Sequence, residues 1–170
     1  QNIVKKFNLN QISTGDLLRN EVKNKTDIGK YIENIISKGD FATDDIVNNL
    51  IKNAVLDTNK KNKLIFDGYP RSLSQAKNLE KMLEDSNQKI DFIFFLNVNK
   101  ETIIKRIEKR KILEKRSDDD AETILKRYDT YMQITKPVLE HYSKNDNFHE
   151  VDGSMEINQI SQKIEQILTL

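Results

Sequence analysis

Short, wholly apolar runs separated by longer amphipathic stretches constrain this chain more than any other feature. Phe92-Ile93-Phe94-Phe95-Leu96 is continuously apolar yet too short for a helix, the pattern of a strand covered on both faces. Leu64, Ile65 and Phe66 form a second such run, read as a buried strand over Lys63–Phe66, and weaker strand signals lie at Gln11-Ile12-Ser13 and Phe148–Val151. Helical stripes fill the intervals. Thr26 can cap a helix carrying Ile28, Ile32, Ile35 and Ile36, with Gly39 as its terminator. Thr43 is the next cap candidate, opening a helix with Ile46, Val47, Leu50, Ile51 and Ala54 on one face. Further helices are expected through Asp16–Arg19, near Ser74–Leu83, over Lys100–Lys111 and over Asp119–Tyr131, the last with Ser117 and Asp120 as a capping pair. Ile3, Val4 and Phe7 fit the last turn of a helix, while Ile157, Ile160, Ile164 and Ile167 recur at helical spacing near the other end. Strands alternating with helices predict an α/β fold, a parallel sheet with helices on both faces.

At 170 residues the chain suits a single domain, 1–170, with room for a real core. Its 28 basic and 27 acidic side chains nearly cancel, so no global field favours nucleic acid or an anionic membrane. Lys105–Arg116 is the one basic-rich segment. Without cysteine there are no disulfides and no cysteine–zinc knuckles, which fits a cytoplasmic protein. No apolar run approaches transmembrane length, and Gln1–Lys6 lacks a signal-peptide core.

Chemistry concentrates at two strand-to-helix junctions. Asp67-Gly68-Tyr69-Pro70-Arg71 follows the strand at Leu64–Phe66, on the rim where open α/β sheets bind ligands. Glycine admits a ligand close to the backbone, proline fixes the turn, and arginine offers a planar fork for phosphate. An ordinary turn with a surface ion pair would read the same way. Ile12-Ser13-Thr14-Gly15-Asp16-Leu17-Leu18-Arg19 is a second strand-to-helix junction, with small polar groups and free backbone amides where an anion or a base edge could sit. Capping by Thr14 or Asp16 is the plainer reading there.

Arg106 and Arg110 share a helix face at the edge of the Ile103/Ile107 stripe, while Lys105 and Lys109 point away. With Arg116 and Arg127 they bracket the acidic turn Asp118-Asp119-Asp120 and could converge on phosphates, although a solvated basic face is the commoner outcome of such spacing. His141, His149, Tyr128 and Tyr131 read as packing residues.

Taken together these segments resemble adenylate kinase, a nucleoside-monophosphate kinase that interconverts ATP plus AMP with two ADP. The resemblance covers essentially the whole chain. It rests on Ile12–Arg19, on Phe66–Arg71 with Gln75, on Arg116-Ser117-Asp118-Asp119, on Arg127 and on Thr135-Lys136-Pro137. It implies a P-loop NTPase-like sheet with a small helical AMP-binding segment at 13–42 and a minimal lid at 110–117. Thr14, Arg19, Ala42, Gly68, Arg71 and Gln75 would form the AMP site, Arg19 and Arg71 gripping the phosphate and Gln75 reading the adenine edge. The stretch Asp40-Phe41-Ala42 would close over AMP. Arg106 and Gly153 would touch ATP, Arg71, Arg110, Arg116 and Arg127 would act on the transferred phosphoryl, Arg116 and Arg127 also contacting AMP, and Asp67 would hold Mg²⁺ through water. Thr14 and Gln75 favour AMP over UMP or CMP, whose kinases tend to carry alanine and asparagine there.

The resemblance implies a monomer acting on small nucleotides, without zinc, nucleic acid or membrane. Two departures accompany it. The lid reduces to Lys111-Ile112-Leu113-Glu114-Lys115, and no G-x-x-x-x-G-K-[ST] phosphate loop occurs in the sequence. The family places that loop and a central strand before the helix at Gln1–Phe7, about 20 residues that the complete protein is expected to have and without which the given chain is expected to be inactive. The alternatives are a non-catalytic AMP-binding module, a UMP/CMP kinase, or a nucleic-acid patch at Lys105–Arg116.

Overall fold

In the computed structural model the described residues are 2–37, 40, 42–56, 63–114 and 121–169. The expected alternation of strand and helix is present. Helix α1 (Asn2–Lys6) leads into strand β1 (Asn10–Ser13), followed by α2 (Thr14–Lys23), α3 (Asp27–Ser37) and α4 (Asp44–Leu56). Strand β2 (Leu64–Asp67) precedes α5 (Leu73–Asp85), and β3 (Ile93–Asn97) precedes α6 (Lys100–Glu114) and α7 (Ala121–Thr130). A π-helical turn (Tyr131–Thr135), α8 (Lys136–Tyr142), β4 (Phe148–Asp152) and α9 (Ile157–Leu168) complete the order.

Among the described residues all strand pairing is parallel, as helical crossovers allow. Among the described residues, however, the strands form two separate pairs, β1 with β2 and β3 with β4, rather than one ladder. This corrects the expectation for Phe92–Leu96. The strand starts one residue later, its residues are only half-buried or exposed, and Leu96 is 45% exposed. A wholly apolar run does not guarantee a strand two covered faces; the neighbours that supply them come from elsewhere in the chain. Across the β3–β4 ladder, Phe94 faces His149 with ring centroids 5.6 Å apart, which gives that histidine its packing role. His141 instead meets Glu80, Nε2 to Oε1 at 2.9 Å.

The larger core lies under β1 and β2. Ile12, Ile32, Val47, Ile51, Val55, Tyr69, Leu79 and Leu83 form one buried cluster, with Ile32 and Ile51 wholly enclosed. A smaller cluster joins Ala76 on α5 to Val138 and Tyr142 on α8. The Thr26 cap is present, its Oγ1 accepting from the Gly29 N–H at 2.9 Å. Ser13, rather than Thr14 or Asp16, caps α2 by accepting from the Asp16 N–H. Thr43 contributes its carbonyl to Val47 at the start of α4. Ile157 leaves the stripe of α9 and is 73% exposed, because the first residue of the helix projects beyond the packed face that holds Ile164.

Two features of the helices, one near residue 135 and one at the end of α6, lie outside the sequence expectations. The final helix of that region runs on through the π-helical turn into α8, with Pro137 in its first turn. Proline cannot donate to the carbonyl four residues back and its ring crowds that carbonyl. The widened turn, in which the Lys136 N–H reaches the Tyr131 carbonyl, accommodates both effects. Helix α6 also continues to Glu114, into the segment read as a lid. The Gly39 terminator, the Ser117/Asp120 cap and lid residues 115–117 lie outside the described residues.

Candidate functional site

Register brings the two junctions together. Parallel pairing sets Ser13 beside Asp67, so Thr14 and Gly68 are the first residues beyond the paired strands. The Thr14 hydroxyl donates to the Gly68 carbonyl at 3.0 Å, and Arg71 Nε donates to the same carbonyl at 2.9 Å. Gly68 has φ +72°, where a side chain is disfavoured, and a Cβ there would stand 2.9 Å from the Arg71 guanidinium. Glycine is needed at this position for the backbone and for the arginine alike.

A cavity of about 320 Å³ opens here, lined by Thr14, Gly15, Leu18, Arg19, Asp40, Ala42, Thr43, Asp44, Val47, Gly68, Arg71, Ser72, Gln75 and Ile134. That volume suits a small ligand. Every residue assigned to the AMP site whose side chain is described lines it: Thr14, Arg19, Ala42, Gly68, Arg71 and Gln75. The two guanidinium groups supply positive charge. Arg19 lies over Gly15, whose missing side chain leaves it room, and pairs with Asp16 at 2.5 Å. Asp40, at the far end of the helical segment, is tied to Lys126 of α7 at 2.6 Å.

Gln75 is almost fully enclosed, at 4% exposure. Its Oε1 accepts from the Arg71 N–H and its Nε2 donates to Asp44 Oδ1, each at 2.7 Å. Asp44 Oδ2 accepts from the Ser72 hydroxyl at 2.7 Å, and Ser72 Oγ caps α5 by accepting from the Gln75 N–H at 3.1 Å. Beneath them the Tyr69 hydroxyl lies 2.7 Å from Asn48 Oδ1 and 3.2 Å from the Gln75 carbonyl. Burial pushes the Tyr69 phenol above its ordinary range; the Asn78 hydrogen bond opposes that and nearby Asp44 adds to it. The phenol is therefore a neutral support.

Asp67, Arg106, Arg110 and Gly153 do not line this cavity. Arg106 and Gly153 meet each other beyond β4: Arg106 donates to the carbonyls of Gly153 at 2.5 Å, Ser154 at 3.2 Å and Met155 at 3.1 Å. Gly153 is packed so closely that a Cβ would come within 2.4 Å of Val98 Cγ2. Nearby, the Ser154 hydroxyl, and then its N–H, hold the Asp152 carboxyl below the usual range. Asp67, at the exposed end of β2, accepts from Gln11 Nε2 at 3.0 Å. Arg110 lies on α6, half-buried. Arg116 and the Arg127 side chain lie outside the described residues.

Sequence reasoning missed Asp44, Ser72 and Ile134. Ser72 carried a usable signal, since Ser-x-x-Gln is a capping-box spacing. Asp44 is one of two adjacent acids that open α4, with no local pattern to set it apart, and Ile134 lies in the π-helical turn.

A family model described as adenylate kinase matches residues 1–147. The chain belongs to the adenylate kinase family. The adenylate kinase of Pelagibacter ubique is 47% identical over 194 residues, covering 99% of this chain and 91% of that protein. Those of Thermosipho africanus and Mycoplasma capricolum are 30% and 36% identical, covering 98% and 89% of this chain and 90% and 83% of theirs. The fold is thus of the P-loop NTPase-like α/β class, and membership of the adenylate kinase family makes the protein a nucleotide-handling phosphotransferase. Among the described residues no helix is long and apolar enough to cross a membrane.

Proposed function

We propose that the cavity is the AMP site of an enzyme that transfers a phosphoryl group reversibly between ATP and AMP, giving two ADP. The observation that carries this reading is the meeting of Arg19, Arg71, Thr14, Gly68 and Gln75, from two distant stretches, around one small-ligand cavity. Arg19 and Arg71 bind the AMP phosphate, whose oxygen attacks the γ-phosphorus of ATP in line as the bond to the ADP leaving group breaks. Such transfer needs positioning and charge neutralisation rather than a protein nucleophile. Arg110, Arg116 and Arg127 neutralise the transferred group, and Arg106 with Gly153 receives ATP.

Mg²⁺ would be held by the Asp67 carboxylate through water. A single exposed hard-oxygen ligand beside the strand ends fits that ion, which takes one or two carboxylates and fills its shell with water and phosphate. When bound, it supplies charge neutralisation on the phosphates.

The segment 13–42 acts as the AMP-binding part and 110–117 as a minimal lid, in a monomer of the cytoplasm. The alignment with the Pelagibacter relative spans 194 positions against 170 residues here, so that relative has residues within the matched span that this chain lacks, which supports a shortened lid.

The test is base preference. Gln75→Ala should weaken AMP binding by roughly tenfold while UMP binding changes little, since a good bidentate base contact is worth about 1–3 kcal/mol. Calorimetry with AMP and UMP on both proteins checks it; an unaltered AMP to UMP ratio removes the adenine assignment.

A further inference from the structure

Gln75 can read a base only if its amide faces the cavity one way round. Oxygen and nitrogen of a glutamine amide are nearly the same size, and only the surrounding hydrogen bonds choose between the two orientations. Here the choice is made by partners from separate parts of the chain: the Arg71 N–H, which can only donate, and the Asp44 carboxylate, which when ionised can only accept. Rotating the amide by half a turn would set its oxygen against a carboxylate and its NH₂ against an N–H. Asp44 also holds Ser72, the residue that caps the helix carrying Gln75, so one carboxylate governs both the side chain and its base.

We propose that Asp44 is the positioning residue for base selection, fixing the Gln75 amide in the orientation that accepts adenine and rejects its reversed counterpart. The proposal rests on reading the cavity as the AMP site. With one N–H spent on Asp44 and one lone pair on Arg71, the amide has one donor and one acceptor left. Adenine presents a complementary pair, an amine donor beside a ring-nitrogen acceptor. Hypoxanthine has the same shape with the order inverted, a carbonyl acceptor beside a ring N–H donor. An amide locked by Asp44 therefore separates AMP from IMP, and an amide free to rotate does not.

The discriminating variant is Asp44→Asn, whose own amide can accept or donate, which removes one of the two constraints on Gln75 and leaves only the Arg71 N–H to oppose the reversed orientation. Asp45→Asn is the control, because Asp45 sits in the same first turn of α4 and is exposed. Calorimetric titration with AMP and with IMP reads the affinity ratio. We expect Asp44→Asn to lower the AMP-to-IMP ratio by about tenfold, chiefly by improving IMP, with Asp45→Asn unchanged. A purely structural role for Asp44 would weaken both nucleotides alike, and a ratio within twofold of the unaltered protein overturns the proposal.

If Asp44→Asn does not fold, the unaltered protein still decides. Before nucleotide is added, the Gln75 side-chain N–H donated to Asp44 should be protected from hydrogen exchange with solvent, and unprotected exchange of both side-chain amide protons overturns the proposal. Should the unaltered protein bind neither nucleotide, the AMP-site reading itself fails; should it prefer AMP while Asp44→Asn keeps that preference, only the positioning role fails.

Discussion

Arg71→Ala is expected to weaken AMP binding by about 10²–10⁴-fold. Hydrogen bonds to charged groups contribute about 1.5–3 kcal/mol each, and a guanidinium fork on phosphate makes two. Each 1.4 kcal/mol is tenfold in affinity. The variant also loses the Nε bond to the Gly68 carbonyl, but that neutral acceptor keeps the Thr14 hydroxyl. Losing that bond costs folding about 1 kcal/mol, or about 2–4 °C in Tm. Arg71→Lys keeps the charge and loses the fork, so it should fall between the two. Titration calorimetry with AMP, paired with thermal melts, separates binding from folding; a loss below threefold would mean that Arg71 does not hold the phosphate.

Gly29→Ala is expected to destabilise the fold by on the order of 3 kcal/mol, lowering Tm by about 6–12 °C. Propensity alone gives the opposite sign, since alanine in a helix is favoured over glycine by about 1 kcal/mol. Packing decides the outcome. A Cβ on Gly29 would lie 2.1 Å from the Glu21 carbonyl oxygen and 2.4 Å from its carbon, both backbone atoms that cannot rotate away. The junction is further tied by Thr26, whose hydroxyl donates to Glu21 Oε2 at 2.5 Å while its Oγ1 accepts from the Gly29 N–H. Relief would have to come from separating α2 and α3, and Arg19 on α2 would move with them. Melts followed by far-UV circular dichroism test this; an unchanged or raised Tm would refute the close approach.

Local chemistry was legible in the residues themselves. Apolar runs and weaker strand signals located the four strands among the described residues to within a residue or two, and Thr26 marked the start of α3. These are consequences of side-chain size, β-branching and hydrogen-bonding capacity acting over a few neighbours. Errors arose where distance along the chain mattered. Phe92–Leu96 looked like a strand enclosed on both sides, yet enclosure depends on partners that composition does not name. The π-helical turn reflects Pro137 competing with the carbonyl four residues before it inside a continuing helix.

By itself the sequence determined that helices and parallel strands alternate, that two strand-ending turns carry arginine and glycine, and that this pattern is an adenylate kinase pattern. Tertiary structure alone decided that Asp44, 31 positions before Gln75, would grip that glutamine's amide, and that Ile134 would wall the same cavity. The reason is physical. A hydrogen bond between ends of different helices gains its geometry from the packing of both helices on the shared core, and no local preference of either residue encodes it.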